Sequence, residues 1–400
     1  MATTYGKRGY SKKSGISQTM DNPFDDIDQV EHELSGLSSD NQEDAFGGMP
    51  PTDPGLLSGK LAQNEEEEQE NILRPKYLKD FQGQSALKEN LSIFIKAAKM
   101  RGEPLDHTFL IGPPGLGKTT LASIIANEMG AEIKMTNAPA LDKPKDLAGV
   151  LTNITENSVF FIDEIHRLKP ALEEMLYIAM EDFEIDWMIG QGPAARTMRI
   201  PIPKFTLIGA TTKAGGVSRP LSNRFGIQLH LDYYNDQELT DIIRRSAKLL
   251  DVTIVPEALT MLAHCSRGTP RIANRLLRRL RDFASVLGDG VVTVDIVRQG
   301  LERMGIDHNG LNAQDLNVLR TIINYYEGGP VGLDTLAVAL GEEPSSLSDY
   351  YEPYLIQKGY LQRTPQGRVV TSKAYALFGM KDTHRPAGGA VSNADQGLLF

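Results

Sequence analysis

Cysteine is almost missing: Cys265 is the only one in 400 residues. A lone thiol builds neither a disulfide framework nor a thiolate zinc site, and a reducing interior such as the cytoplasm suits it. Long apolar runs are missing too. No stretch approaches the ~20 residues that a membrane-spanning helix requires, so no membrane role is expected. Positive charge is scarce over residues 21–70, where fifteen acids face one lysine, a balance of −14. Acids in turn are missing from residues 1–20, which carry Lys7, Arg8, Lys12 and Lys13. The rest of the chain sums to zero, so the net charge of −10 belongs to a tail. It does not exclude a nucleic-acid partner, whose binding depends on local patches.

What is present suffices for two or three domains with their own cores, since 40% of the residues are hydrophobic. Residues 1–70 are rich in Ser, Gly, Asp, Gln and Pro, with an acidic run at Glu65–Glu68 and no sustained apolar period. Burial there cannot offset the entropy of ordering, and a disordered acidic extension is expected. The acid-poor start has some character of an organellar transit peptide, but it is poor in arginine and lacks an amphipathic pattern, so a solvated tail is the reading.

Order begins near Leu73-Arg74-Pro75. Leu87, Leu91 and Ile95 recur at helical spacing. Thr108–Ile111 reads as a short apolar strand, followed by a glycine-rich loop and a helix over Thr119–Met129. Ser158–Ile162 and Phe205–Ala210 read as two further buried strands. Strands alternating with helices argue for a parallel sheet covered on both faces, an α/β core over 71–235. From 236 to 306 the pattern turns helical, with helices at Glu238–Leu250, Glu257–Ser266, Arg271–Leu287 and Asp295–Met304: a small all-helical lid. From 309 to 380, helices at Ala313–Tyr326, Leu333–Leu340 and Ser346–Lys358 precede a ribbon, Tyr360–Thr371, turned by Pro365-Gln-Gly367. That order suggests a winged helix-turn-helix. Residues 381–400 read as a flexible tail.

The loop Gly112–Thr119 satisfies G-x-x-x-x-G-K-[ST] at every defined position. Such a loop closes backbone N–H groups around phosphate oxygens, where side chains at Gly115 and Gly117 would obstruct. Lys118 brings a point charge to the β/γ-phosphates and the Thr119 hydroxyl suits Mg²⁺. The following helix aims its positive end at the anion. About 45 residues on, an apolar strand ends in Asp163-Glu164. Asp163 is placed to hold Mg²⁺ through water, and Glu164 to orient or deprotonate the attacking water; the bland alternative is an acidic N-cap of the next helix. Thr211, ending the third strand, is a candidate γ-phosphate sensor or simply a polar strand terminus.

Together GPPGLGKTT, FFIDEIHR, IGATT, NRFG and GTPRIANR resemble the AAA+ ATPases. More narrowly, they resemble the bacterial motors that migrate four-way DNA junctions. Met180–Phe183, Trp187–Arg196, Arg267–Arg271 and Gly328–Gly332 carry the narrower likeness, which spans about Leu73 to Met380, roughly three quarters of the chain. The resemblance implies ATP and Mg²⁺ as cofactors and a homohexameric ring on double-stranded DNA. Leu73, Arg74 and Tyr234 would enclose adenine. Gly115, Lys118, Thr119 and Thr120 would hold phosphates and Mg²⁺, and Glu181, Asp182 and Phe183 would border nucleotide. Arg271 matches the sensor-2 arginine, and Arg224 matches the finger that a subunit offers to its neighbour's site. Read alone, each arginine is as well explained by a surface salt bridge. The family commonly has arginine two positions before the finger; here it is Ser222, with Arg219 nearby, so the local interface network differs.

The segment Asp186–Ile202 resembles the family's protruding hairpin, which docks a junction-binding partner of the RuvA type; a junction resolvase is a further partner. Read alone it is an apolar hairpin, either exposed for docking or buried against the core. Arg363 and Arg368 flank the turn of the wing and suit phosphate contact in a groove, or else a solvated turn. The expected function is a DNA-translocating ATPase that drives branch migration in recombination and repair. The rivals are a clamp-loader subunit or replication initiator, and a non-hydrolysing DNA-binding scaffold.

Overall fold

The structure is a computed structural model and describes residues 72–189 and 196–381. The acidic extension, the tail beyond Lys381 and the hairpin tip at 190–195 lie outside these residues. In chain order, α1 (Ser85–Arg101) precedes β1 (Thr108–Ile111), α2 (Lys118–Met129), β2 (Ile133–Asn137), α3 (Pro144–Thr152), β3 (Val159–Asp163) and α4 (Pro170–Asp182). The antiparallel pair β4 (Glu184–Ile189) and β5 (Arg196–Pro201) follows, then β6 (Thr206–Thr211) and β7 (Ile227–His230).

A parallel sheet runs in the order β2-β3-β6-β1-β7. Its three inner strands are apolar on both sides because helices cover both faces. Phe109, Phe160, Ile162 and Leu207 join one core, while Leu110, Phe161 and Ile208 join the other. Successive residues of a strand face opposite ways, so each strand feeds both cores. The crossovers place the C-terminal ends of β3, β6 and β1 side by side. In open α/β sheets that edge is where ligands bind.

β2 and β7 are strands that the sequence pattern did not mark. Both are edge strands: β2 buries none of its residues fully and β7 only every other one, so neither reads as a buried run. α1 buries Leu87, Leu91, Ile95 and Ala98 along one stripe and ends at Gly102 in the left-handed conformation (φ +69°), the usual stop for a helix.

The lid comprises α5 (Asp236–Leu249), β8 (Thr253–Ile254), α6 (Pro256–Cys265), α7 (Pro270–Leu287), β9 (Val291–Val292) and α8 (Val294–Arg303). Asn235 and Glu238 form a reciprocal capping box that starts α5, a device worth about 1 kcal/mol. The lid is not all helical, because β8 and β9 pair in parallel. Two residues each are too short to leave a periodic signal. The lid core is continuous with one face of the sheet: Leu239, Ile243, Leu276 and Leu110 belong to one cluster.

The last unit has α9 (Ala313–Tyr326), α10 (Leu333–Leu340), α11 (Glu352–Gln357), the ribbon β10 (Leu361–Thr364) with β11 (Gly367–Val370), and α12 (Ser372–Leu377). It is a winged helix with its own core, including Leu319, Leu336, Leu355 and Val370. The single helix expected over Ser346–Lys358 is interrupted by a π-helical turn, Leu347–Tyr351. Pro353 has no N–H to continue the regular ladder, and the turn before it widens.

Candidate functional site

β1 delivers the loop Gly112–Gly117, and α2 starts at Lys118. Gly115 (φ +80°) and Gly117 (φ +98°) occupy conformations that side chains resist, and a Cβ on Gly115 would stand 3.2 Å from Arg271 Cβ. Lys118 is buried, and its ammonium donates to the carbonyls of Gly112 at 2.7 Å and Pro113 at 2.9 Å. Burial pulls its pKa below the usual lysine range, while Asp163 and Glu164 push it back up. The charge is thus held at the centre of the loop by groups that also favour it.

At the end of β3, Asp163 Oδ2 accepts from Thr119 Oγ1 at 3.4 Å, and Asp163 Oδ1 accepts from the Glu164 N–H at 2.9 Å. Glu164 sits in the left-handed region (φ +50°) and pairs with Arg167 at 2.9 Å. A non-glycine residue held there costs about 1 kcal/mol or more, a strain typical of functional positions. Both carboxylates and the lysine line one crevice of about 450 Å³, a size suited to a small-molecule ligand. A hydroxyl and a carboxylate oxygen this close, beside a glycine loop, form a hard oxygen set that fits Mg²⁺.

The far wall of the crevice is made by Leu73, Arg74 and Tyr234, and the lid closes it through Arg245 and Arg271. Tyr234 is buried and donates to Leu116 O at 3.2 Å; burial and Glu238 push its phenol pKa up, so it stays neutral. Arg245 donates to Leu73 O at 2.7 Å and ties α5 to the entry segment. Arg271, in the first turn of α7, donates its N–H to Gly115 O at 3.4 Å. The crevice therefore brings together Leu73, Arg74, Gly115, Lys118, Thr119, Thr120, Asp163, Glu164, Tyr234 and Arg271. Arg245 was not marked from the sequence, where one arginine on an amphipathic helix carries no distinguishing signal.

The remaining expected residues stand outside the crevice. Thr211 does not face the crevice. It is buried, its hydroxyl meets His166 Nδ1 at 3.0 Å and accepts the Lys213 N–H at 2.9 Å, and the next residue, Thr212, lines the site instead. One residue further along an extended chain turns the side chain to the other side.

Glu181, Asp182 and Phe183 do not border this chain's crevice either. Phe183 packs on His107 (6.3 Å) and Phe205 (6.1 Å), at the N-terminal ends of β1 and β6. Arg224, just before β7, lies at that same end, where it pairs with Glu181, donates to Pro220 O at 3.1 Å and stacks on Tyr177 at 4.9 Å. A four-residue strand is about 13 Å long, so Arg224 faces away from its own crevice.

Arg363 and Arg368 stand opposite each other across the turn of the wing, where they were expected, and both are paired. Both bind Glu352, which is fully buried: Arg363 Nε at 2.7 Å and Arg368 Nε at 2.7 Å. Arg368 is largely covered, while Arg363 remains half exposed. A buried carboxylate must be paired, and no local pattern announces a partner 11 and 16 residues away.

In the hairpin, Trp187 is half-buried and packs on the sheet core, so it is not part of an open apolar face; Met198, opposite it in register, is exposed.

Comparison with known proteins agrees with this architecture. The family profile for the "Holliday junction DNA helicase RuvB P-loop domain" matches residues 73–231. The profiles for the "RuvB AAA lid domain" and the "RuvB C-terminal winged helix domain" match residues 234–307 and 308–379. The Holliday junction branch migration complex subunit RuvB of Treponema denticola is 64% identical over 314 residues, 78% of this chain and 92% of that one. The subunit of the same name from Borreliella burgdorferi is 60% identical over 318 residues, 79% of this chain and 92% of that one. Among solved structures, the Thermotoga maritima RuvB Holliday junction branch migration motor superposes with a TM-score of 0.72 at 51% identity, covering 78% of this chain and 99% of that one. With all three of its folded units matched in order, the chain belongs to the RuvB family of AAA+ ATPases.

Proposed function

We propose that the chain is the ATP-hydrolysing motor subunit that drives branch migration of Holliday junctions in recombination and repair. One observation carries the reading. A crevice with the loop lysine and both acids occupies one end of the sheet, while Arg224 stands at the other end of the same sheet, turned away from it. An arginine so placed serves a site on another subunit, and a chain that carries half of each site at opposite ends builds a ring. The ring is a homohexamer on duplex DNA.

Within each crevice, Lys118 and the loop N–H groups hold the β- and γ-phosphates of ATP, and Leu73, Arg74 and Tyr234 enclose its base. Thr119 and Asp163 would hold Mg²⁺, which when bound neutralises charge on the phosphate oxygens. Glu164 positions the attacking water and takes its proton. Thr212 and Arg271 read the γ-phosphate, the first from the core and the second from the lid. Arg224 of a neighbour stabilises the charge that develops on transfer, an effect typically worth ~10³–10⁵ in rate. Glu181, Asp182 and Phe183 belong to that donated surface.

At the wing, two guanidiniums on one carboxylate leave a surplus positive charge, and Glu352 fixes their direction. Arg363 and Arg368 thereby meet the DNA backbone, a contact that carries no sequence information and suits a motor. The β4–β5 hairpin, through Met198 and the segment beyond it, docks a junction-binding partner of the RuvA type, and a junction resolvase acts downstream. Among the described residues no helix is long and apolar enough to cross a membrane, and we assign the work to the cytoplasm.

The test is branch migration of a synthetic four-way junction with ATP, with and without a RuvA-type partner. The wild-type chain is expected to migrate the junction, more efficiently with the partner. Glu164→Gln is expected to keep ATP binding and junction-bound rings and to stop migration. Migration by that variant at the wild-type rate would remove Glu164 from the assigned role.

A further inference from the structure

The lid and the winged helix are joined by a short linker that is bolted down at three points. Arg267, at the end of α6, donates from Nε to Gly310 O at 3.1 Å, pairs through Nη2 with Asp315, and stacks on Tyr354 at 4.4 Å. Tyr354 Oη donates to Asn309 O at 2.6 Å. Gly310 (φ +77°) passes so close beneath that a Cβ there would stand 2.8 Å from Tyr354 Oη and 3.1 Å from Cys265 Cα. Arg267 is nearly covered, Asp315 fully so.

Asp315 does a second job. Its carboxylate accepts the Asn312 N–H at 2.8 Å and closes the capping box of α9, the first helix of the winged unit. Arg267 itself is held in the left-handed region (φ +55°), an arrangement that persists only where its surroundings over-determine it. Four residues on, Arg271 packs against Gly115 of the phosphate loop, and the Gly268 carbonyl between them accepts the Tyr234 N–H at 2.9 Å. One five-residue segment thus touches the nucleotide crevice at one end and the winged helix at the other.

We propose that Arg267 is the positioning residue that makes the lid and the winged helix one rigid body, so that a lid movement set by the γ-phosphate is delivered to DNA undiminished. This rests on the motor reading above. The buried fork of Arg267 spans three partners across the linker.

The experiment uses the full chain with Arg267→Lys, which keeps the charge and loses the fork, and with Asp315→Asn, which keeps the shape and leaves no bare carboxylate should the first fail to fold. Spin labels at exposed positions of α7 and α10 report the lid-to-wing distance with ADP and with a non-hydrolysable ATP analogue. In the wild type one narrow distance is expected in both states; in either variant the distribution broadens. In parallel, junction migrated per ATP hydrolysed is expected to fall about tenfold in the variants, with hydrolysis without DNA unchanged. A wild-type lid-to-wing distance that shifts with nucleotide, or variants as narrow as the wild type, overturns the proposal. So does a loss of migration matched by an equal loss of hydrolysis, which marks a merely structural role. A wild type that shows the rigid distance but migrates no junction refutes the motor reading alone.

Discussion

At the C-terminal ends of β3, β6 and β1 stand Asp163, Glu164, Thr212 and Lys118, all lining one crevice. At the N-terminal ends of β1 and β7 stand His107 and Arg224, with Glu181 and Phe183 against them. The first end is polar toward open space: its loop carbonyls hold an ammonium, and its strained Glu164 lines the cavity. The second end closes on itself, with Arg224 paired, stacked and hydrogen-bonded within its own chain. The difference teaches that the groups proposed to grip a nucleotide gather at one end of the sheet, while the arginine proposed to complete turnover stands at the other. It also gives Glu181 a partner that its place in the sequence did not suggest, Arg224.

The largest expected effect tests that division directly. Glu164→Gln and Arg224→Ala should each lower DNA-stimulated hydrolysis by about 10³-fold, a typical cost for a base or a trans arginine, while ATP affinity changes little. Mixed in equal amounts, the two dead proteins should regain a measurable fraction of activity, because one interface in a mixed ring pairs an intact Glu164 with an intact Arg224. Steady-state phosphate release measures it. A mixture as inactive as its parts would place both groups on one subunit's site and break the comparison.

Much of the first end was legible because its residues are consecutive. A glycine loop between a strand and a helix, or two acids closing an apolar strand, are local patterns with a local cause. The second end was not legible, since its contact joins Arg224 to Glu181 across 43 residues; the same holds for Arg368 and Glu352 in the wing, 16 apart, and for Arg267 and Asp315 between lid and wing, 48 apart. The resemblance named Glu181–Phe183 as nucleotide neighbours without saying whose nucleotide. The fold places them at the N-terminal ends of the strands, beside Arg224. Between the two readings of Thr211 the sequence could not decide, for a subtler reason: the direction in which adjacent threonines at the end of β6 point depends on the phase of a strand buried on both faces, which is not visible in its sequence.

That phase gives a smaller prediction. Thr212→Val should slow hydrolysis about tenfold, the loss of one hydrogen bond to a charged group. Thr211→Val should leave hydrolysis within about twofold and instead cost about 1 kcal/mol of stability, because it strips a partner from His166 and from the Lys213 N–H. Turnover and thermal unfolding of the two variants separate the roles, and the reverse pattern would return the sensing role to Thr211.

The smallest effect distinguishes the two ends by their histidines. His107 Nδ1 accepts the Leu207 N–H at 2.8 Å, so the proton resides on Nε2, which donates to Met180 O at 3.1 Å. Burial lowers its pKa below the ordinary 6.5 against the opposing pull of the Met180 carbonyl and Asp106. The unfolded chain then binds a proton that the folded chain refuses. Stability from this group is complete above pH 6.5 and declines as pH falls toward the folded value. The loss grows as pH falls below 6.5, because burial keeps the folded imidazole neutral. His166, at the crevice end, is lowered in the same direction, so the wild-type profile mixes the two. His107→Gln keeps an acceptor for Leu207 and removes one titration. Its melting temperature should fall less between pH 7.5 and pH 5 than that of the wild type, and equal falls would shift the acid sensitivity to the crevice end.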